Sequence, residues 1–244
     1  MPEKLTRKSI RKLLEALATD ENRNSIEKYF KHGIDAIGVK APDIRPIARE
    51  AAKWCRFNGG FAQAMKLAKP LWKRGALEER MVALSLLTAF PEEFDDRTWA
   101  LCDDWVDDLK DWASCDYLSA DIIGAHLDGS PERRKELVKW TRSKNLWRRR
   151  AAAVALVKHA RKGKYLADVW RVAAPLMPDE EDMVRKGVGW LLREAARTAP
   201  GKVVTFCKKH EERAARLILR TAAETMSKSW REKLLGKRKK RGKK

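Results

Sequence analysis

The sequence predicts an all-α fold, an α-solenoid of helical repeats with a concave, basic surface. Ala, Leu, Lys, Arg and Glu make up just over half of the 244 residues, a composition typical of long or repeated helices. Prolines divide the chain into pieces of helical length, and between them apolar residues recur with a period of about 3.6. No stretch alternates like a strand. An irregular helical bundle is the alternative architecture.

Apolar stripes and prolines place the individual helices. Residues 44–55 and 184–195 each carry one apolar stripe, whereas residues 82–90 are apolar more densely, as in a buried helix. Ser130 followed by Pro131 predicts a helix start. We expect about a dozen helices in pairs of roughly 35 to 45 residues, the size of HEAT-like repeats. The prolines interpreted as boundaries are Pro42, Pro70, Pro91, Pro131, Pro175, Pro178 and Pro200.

The charge of the chain is strongly positive and unevenly distributed. There are 54 Lys and Arg against 34 Asp and Glu, a net charge of +20. Residues 237–244 read as a disordered basic tail, which leaves residues 1–236 as a single folded domain. Residues 91–121 form an acidic segment that we expect to be mostly a solvated helix face. The net charge predicts a polyanionic partner, above all nucleic acid.

Several classes of protein do not fit the sequence. The longest apolar run is far shorter than the roughly 20 residues that span a bilayer, and no secretory signal is recognisable. The four cysteines contain no CxxC pair, the four histidines lack metal-ligand spacing, and no Gly-rich phosphate loop occurs. We therefore expect a monomer in the cytoplasm, nucleoid-associated if the source is bacterial, with no metal, cofactor or membrane partner.

The predicted helix over 180–199 has a basic stripe opposite its apolar one. Lys186, Trp190, Arg193 and Arg197 follow one another at helical spacing. Cations with a central tryptophan suit a nucleic-acid surface, where they meet phosphates and a sugar or base. Alternatively, Trp190 packs on a neighbouring helix. Gly187 and Gly189, which both precede Trp190, permit close approach of either a ligand or a helix.

Three consecutive arginines open another predicted helix. Arg148, Arg149 and Arg150 point in different directions around a helix axis, so they cannot share one face. Arg150 borders the apolar face and is expected to be held by packing. Arg148 and Arg149 are expected to contact solvent or phosphates, and all three also fit ordinary surface charges.

Trp112 and Asp116 form the only acid–aromatic pair that the sequence singles out for chemistry. They are four residues apart, so in a helix they lie on one face, where the carboxylate beside the indole would stabilise positive charge. The alternative is that Asp116 or Ser114 is only the N-cap of the helix that continues through Ile123.

These segments, taken in order, resemble the AlkD-like DNA alkylation-repair glycosylases, a family of HEAT-like repeats. The resemblance extends over residues 29–200. Its pieces are IGVKAPDIR (37–45), WASCD (112–116), SKNLWRRRAA (143–152) and RKGVGWLLRE (185–194). Two features depart from the family pattern: Asp111 stands where members have a second tryptophan, and the basic tail is additional.

The resemblance implies a function and roles for residues. Members excise positively charged alkylpurines, chiefly 7-methylguanine and 3-methyladenine, from double-stranded DNA, leaving an abasic site without base flipping. Asp116 matches the catalytic aspartate, and Trp112 and Trp190 match the tryptophans beside it. Arg150 matches an arginine on the DNA backbone, and Tyr29 lines the same concave face.

The residues support this chemistry independently, because a cationic purine leaves as a neutral base and needs no general acid. A carboxylate near the sugar stabilises the charge that develops there. Two other hypotheses remain at this point. One is a non-catalytic nucleic-acid-binding HEAT array, and the other is a helical scaffold for an acidic protein.

Overall fold

A computed structural model describes residues 5–30 and 33–236. All regular elements in those ranges are helical, so the predicted all-α fold is confirmed. The chain divides into two compact units between Ile122 and Ile123. A single domain over 1–236 stays a prediction, and the tail 237–244 lies outside the described residues. None of the helices in the described ranges has the length and apolarity to cross a membrane.

The first unit consists of successive helix pairs. Its helices are α1 (Arg7–Glu15), α2 (Asp20–Tyr29), α3 (Ala41–Phe57), α4 (Gly60–Lys73), α5 (Leu77–Thr88), α6 (Asp96–Asp107) and α7 (Trp112–Tyr117). A 3-10 turn, Pro91–Glu93, joins α5 to α6, and α7 runs on into a π-helical segment, Leu118–Ile123. The predicted stripe of α3 is buried against α4 and α5, and Trp72 stacks on Trp105 with ring centroids 4.4 Å apart. Burial of this apolar surface is the main stabilising term.

The second unit is built around one long helix. Its helices are α8 (Pro131–Trp140), α9 (Leu146–Val154), α10 (Val157–Arg161), α11 (Leu166–Leu176), α12 (Asp182–Ala196), α13 (Pro200–Lys209), α14 (Arg216–Ala222) and α15 (Lys228–Leu235). A 3-10 turn, Gly124–Leu127, precedes α8. The predicted apolar stripe of α12 is fully buried, and α12 packs on both α9 and α14. Side-by-side packing of this kind fits HEAT-like repeats within the unit.

Two of the predicted helix boundaries are wrong. Pro70 lies inside α4 and Pro175 inside α11, each within the last turn of its helix. A proline inside a helix costs about 3 kcal/mol or more because it removes a hydrogen bond and clashes with a carbonyl. Leu71 and Trp72, which directly follow Pro70, are completely buried, and burying two such side chains offsets that cost.

Candidate active site and nucleic-acid interface

The N-cap of α7 is neither Ser114 nor Asp116, the two residues that the sequence suggested. The N–H of Ser114 donates to Oδ1 of Asp111 at 2.7 Å, so Asp111 is the N-cap. Asp116 lies inside α7, one turn after Trp112, and both side chains are half-buried. The interpretation of Asp116 or Ser114 as the cap is therefore wrong. The residue that departs from the family pattern, Asp111, is the one that starts this helix.

Most acids of the segment 91–121 have structural or solvated positions. Six of them are exposed: Glu92, Glu93, Asp96, Asp104, Asp107 and Asp108. Asp95 caps α6, and a side-chain hydrogen bond from Arg97 lowers the pKa of this carboxyl. Asp111 is also used as a cap, so Asp116 is one of the few acids of the segment that are half-buried and do not cap a helix.

An aromatic cluster surrounds Trp112. The ring of Phe30 stacks on Trp112 with centroids 5.2 Å apart and planes at 11°. Tyr29 meets Trp112 edge-on at 5.8 Å and is itself 68% exposed. The structure therefore brings together Tyr29 and Trp112, two of the residues that the resemblance singled out. Phe30 was missed, although its position next to Tyr29 at the end of α2 was a usable signal.

A buried carboxylate fixes the segment that leads into α3. The side chain of Glu78 is fully buried and accepts hydrogen bonds from the N–H groups of Ile37 (2.9 Å), Gly38 (2.8 Å) and Val39 (3.0 Å). Gly38 has a φ of 102°, and a Cβ there would lie 2.6 Å from the carbonyl oxygen of Thr19. The first piece of the family resemblance is therefore a clamped stretch of backbone.

In the second unit, α12 brings Arg150 and the two glycines together. Arg150 is 6% exposed, and its guanidinium donates to the carbonyl oxygen of Met183. A Cβ at Gly187 would lie 3.2 Å from Cγ of Arg150, and one at Gly189 would lie 2.7 Å from Cβ of Thr221. The glycines therefore serve close helix packing, one of their two interpretations. The expectation that packing holds Arg150 is confirmed.

The other two arginines of α9 have different surroundings. Arg149 is engaged bidentately by Asp179, through Nε to Oδ2 at 2.7 Å and Nη2 to Oδ1 at 3.2 Å. Its Nη1 donates to the carbonyl oxygens of Ser143 and Lys144. These hydrogen bonds explain Arg149 as a structural residue better than as a phosphate contact. Arg148 is half-buried, with its guanidinium 4.9 Å from the ring centroid of Trp140.

The predicted basic stripe of α12 is largely neutralised. Arg193 pairs with Glu224 at 2.8 Å and with Glu194 at 3.3 Å, while Arg197 pairs with Glu194 at 2.7 Å. Lys186 is exposed, and Trp190 is half-buried. A phosphate approaching this stripe must compete with carboxylates at Arg193 and Arg197.

Two of the cysteines are buried and have raised pKa values. Burial raises the pKa of Cys55 to about 11 and that of Cys207 to about 12, so both thiols are protonated at neutral pH. Across residues 5–30 and 33–236, no three His, Cys, Asp or Glu side chains cluster so as to hold a metal ion. Asp116 and Trp112, one turn apart in α7, are the acid and the indole to which the resemblance assigns the reaction.

Comparison with known proteins agrees with the helical fold. The fold is similar to that of a solved protein described as a predicted DNA alkylation repair enzyme from Enterococcus faecalis, with a TM-score of 0.76 and 19% sequence identity. The match covers 86% of this chain and 97% of that one. No curated protein matches the chain.

The family follows from the sequence match. A family model described as DNA alkylation repair enzyme matches residues 10–226, and the chain belongs to that family. An enzyme of DNA alkylation repair, with DNA as its partner, is the class that this membership defines.

Proposed function

We propose that this protein is a monofunctional DNA glycosylase. It hydrolyses the N-glycosidic bond of positively charged alkylpurines, such as 7-methylguanine and 3-methyladenine, in duplex DNA. The products are the free base and an abasic site, and the base is not flipped into a pocket. The enzyme acts as a cytoplasmic monomer without metal or cofactor. The observation that supports this most directly is the position of Asp116 inside α7, one turn from Trp112.

The proposed reaction needs only groups that the chain itself has. As the C1′–N bond breaks, its electron pair moves onto the purine, which departs as a neutral base. Positive charge develops on the deoxyribose, and the carboxylate of Asp116 stabilises it and orients a water. The water adds to C1′ and loses a proton. At about 4 Å and an effective dielectric near 20, the Coulomb energy is about 4 kcal/mol, or roughly a thousandfold in rate.

The remaining predicted residues take supporting roles in this proposal. Trp112 and Trp190 flank the lesion, where an indole face favours a cation by about 0.5–2 kcal/mol and excludes water. Arg150 and Tyr29 contact the DNA near the lesion. Further phosphate contacts come from Arg148, Lys186, Arg193 and Arg197. Arg149 supports the site only by stabilising the fold, because its guanidinium already forms an ion pair with Asp179.

The test is base release from duplex DNA that contains 7-methylguanine. We expect Asp116→Asn to lower the rate about a thousandfold while the variant still binds unmodified duplex. Asp111→Asn is the matched control, since it removes the same charge five residues earlier and asparagine is an equally good cap. That control should keep base release near the wild-type rate.

Two outcomes would contradict the proposal. If Asp116→Asn released the base at the wild-type rate, Asp116 would not be the catalytic residue. Salt-sensitive DNA binding by the wild type without base release from any alkylated duplex would favour the non-catalytic nucleic-acid-binding array instead.

A further inference from the structure

A basic groove lies on the first unit between α3, α5 and α7, outside the aromatic cluster at Trp112. Its volume is about 450 Å³. Four cations of α3 line it, Arg45, Arg49, Lys53 and Arg56, over a floor of alanines, and Tyr117 forms the opposite wall. We call it the α3 groove. Of its four cations, only Arg45 belongs to a piece of the family resemblance, residues 37–45.

The four cations share one face of α3. Their spacing of four, four and three residues keeps them in line along a helix, and all four are exposed. At 1.5 Å per residue, the row extends over about 16 Å, with successive cations about 6 Å apart along the axis. A row of this length is matched to several consecutive anionic groups rather than to one phosphate.

Ion pairs within the folded chain do not explain why these cations lie in a row. Within residues 5–30 and 33–236, no carboxylate forms an ion pair with Arg45, Arg49 or Lys53. Arg56 is the exception, pairing with Glu92 at 3.3 Å and lying over the ring of Phe90. Like charges one turn apart destabilise a helix by roughly 0.2–0.5 kcal/mol per pair. The row therefore costs stability in the free protein, and an anionic ligand would relieve that cost.

Tyr117, which lines the groove from α7, is held in place by hydrogen bonds to α5. The hydroxyl of Tyr117 lies 3.0 Å from Oγ of Ser85 and 3.0 Å from Oγ1 of Thr88, which ties α7 to α5. Tyr117 directly follows Asp116 in the same helix. An anionic chain in the groove is thus held against the helix that carries the proposed catalytic carboxylate.

We propose that the α3 groove binds the phosphodiester backbone of a DNA strand. Phosphates lie along Arg45, Arg49 and Lys53, and the strand passes the wall formed by Tyr117. The inference rests on DNA being the substrate of the proposed function, but not on the chemistry at Asp116. It adds a sequence-independent binding site in the first unit, where none of the predicted DNA contacts except Tyr29 lies.

The experiment measures binding of an unmodified duplex as a function of salt, so that catalysis plays no part. Arg49→Ala/Lys53→Ala is compared with Lys66→Ala/Lys69→Ala, which removes two exposed cations from α4, outside the groove. Removing one cation that neutralises a phosphate lowers the slope of log K against log salt by about 0.9, so the slope of the groove variant should fall by about 1.8. Extrapolated to 0.1 M salt, this is on the order of tenfold in affinity for each cation removed.

The result expected is a reduced slope and weaker binding in the groove variant alone. Equal slopes for the two double variants would overturn the proposal, as would a wild type with no salt-dependent affinity for unmodified duplex. Base release from alkylated duplex by the wild type is measured separately. If it persists while the slopes are equal, the groove is refuted and the glycosylase proposal stands. All four altered residues are exposed, so neither variant should unfold below the wild-type temperature.

Discussion

Both units contain arginines paired with carboxylates, such as Arg7 and Arg11 with Glu79 in the first, but one row of cations in the first unit has no such partners. In the first unit, Arg45, Arg49 and Lys53 form a row without carboxylate partners among the described residues. In the second unit, Arg149 and Arg193 are held by Asp179 and by Glu194 with Glu224. Paired arginines stabilise the fold and are only partly available to DNA, whereas unpaired cations cost stability and remain available. The net charge alone does not distinguish these roles.

The largest expected effect tests the structural side of this comparison. Arg149→Ala leaves Asp179 buried without its partner, and breaking a buried pair should cost about 3 kcal/mol of unfolding free energy. Lys53→Ala in the first unit should change stability by less than about 0.5 kcal/mol. Urea denaturation of both variants measures the difference. Equal stabilities would show that the pair with Asp179 does not make Arg149 more important for folding than the unpaired Lys53.

A second prediction concerns the packing that positions α12. Gly189→Ala should destabilise the protein by about 2 kcal/mol, because its Cβ would lie 2.7 Å from Cβ of Thr221. Gly187→Ala is the matched control on the same helix. Its Cβ meets Cγ of Arg150 at 3.2 Å, and the gain in helix propensity of about 1 kcal/mol offsets this tighter packing. The melting temperature of Gly189→Ala should lie well below that of Gly187→Ala. The reverse order would contradict the close packing of α12 on α14.

The smallest expected effect is that of Glu194→Gln. This substitution removes a carboxylate partner from arginines of the second unit, so that they resemble the unpaired cations of α3. Glu194 is buried and pairs with Arg193, Arg197 and Arg161. Because Arg193 and Arg197 are partly exposed, Glu194→Gln should cost only about 1 kcal/mol of stability. Three arginines lose a neutralising charge, so affinity for unmodified duplex should rise and its salt slope should steepen by up to about 0.9 for each further phosphate that they neutralise. Titration at several salt concentrations measures both, and an unchanged slope would show that these arginines do not face DNA.

The spacing of residues along the sequence predicted those features of the fold and site that depend on one helix alone. The spacing of Trp112 and Asp116 placed both on one helix, and the apolar stripes of α3 and α12 are buried as expected. The boundaries at Pro70 and Pro175 were wrong because tertiary burial outweighs the local cost of proline.

Other features depend on partners distant in sequence. Glu78 accepts hydrogen bonds from backbone about 40 residues earlier, and Arg149 pairs with Asp179 at a separation of 30 residues. No periodicity within one helix reveals such partners. The cations of the α3 groove are visible in the sequence, but that they lack carboxylate partners becomes apparent only once the fold surrounds them.

The stacking of Phe30 on Trp112 has a consequence for how DNA arrives. One face of the indole is covered by Phe30, and Tyr29 lies against it edge-on, so a new stacking partner must use the opposite face. A sugar or base can therefore reach Trp112 from one direction only. A group that stacks on Trp112 from that side displaces neither Phe30 nor Tyr29, so the aromatic cluster can stay intact when DNA is bound.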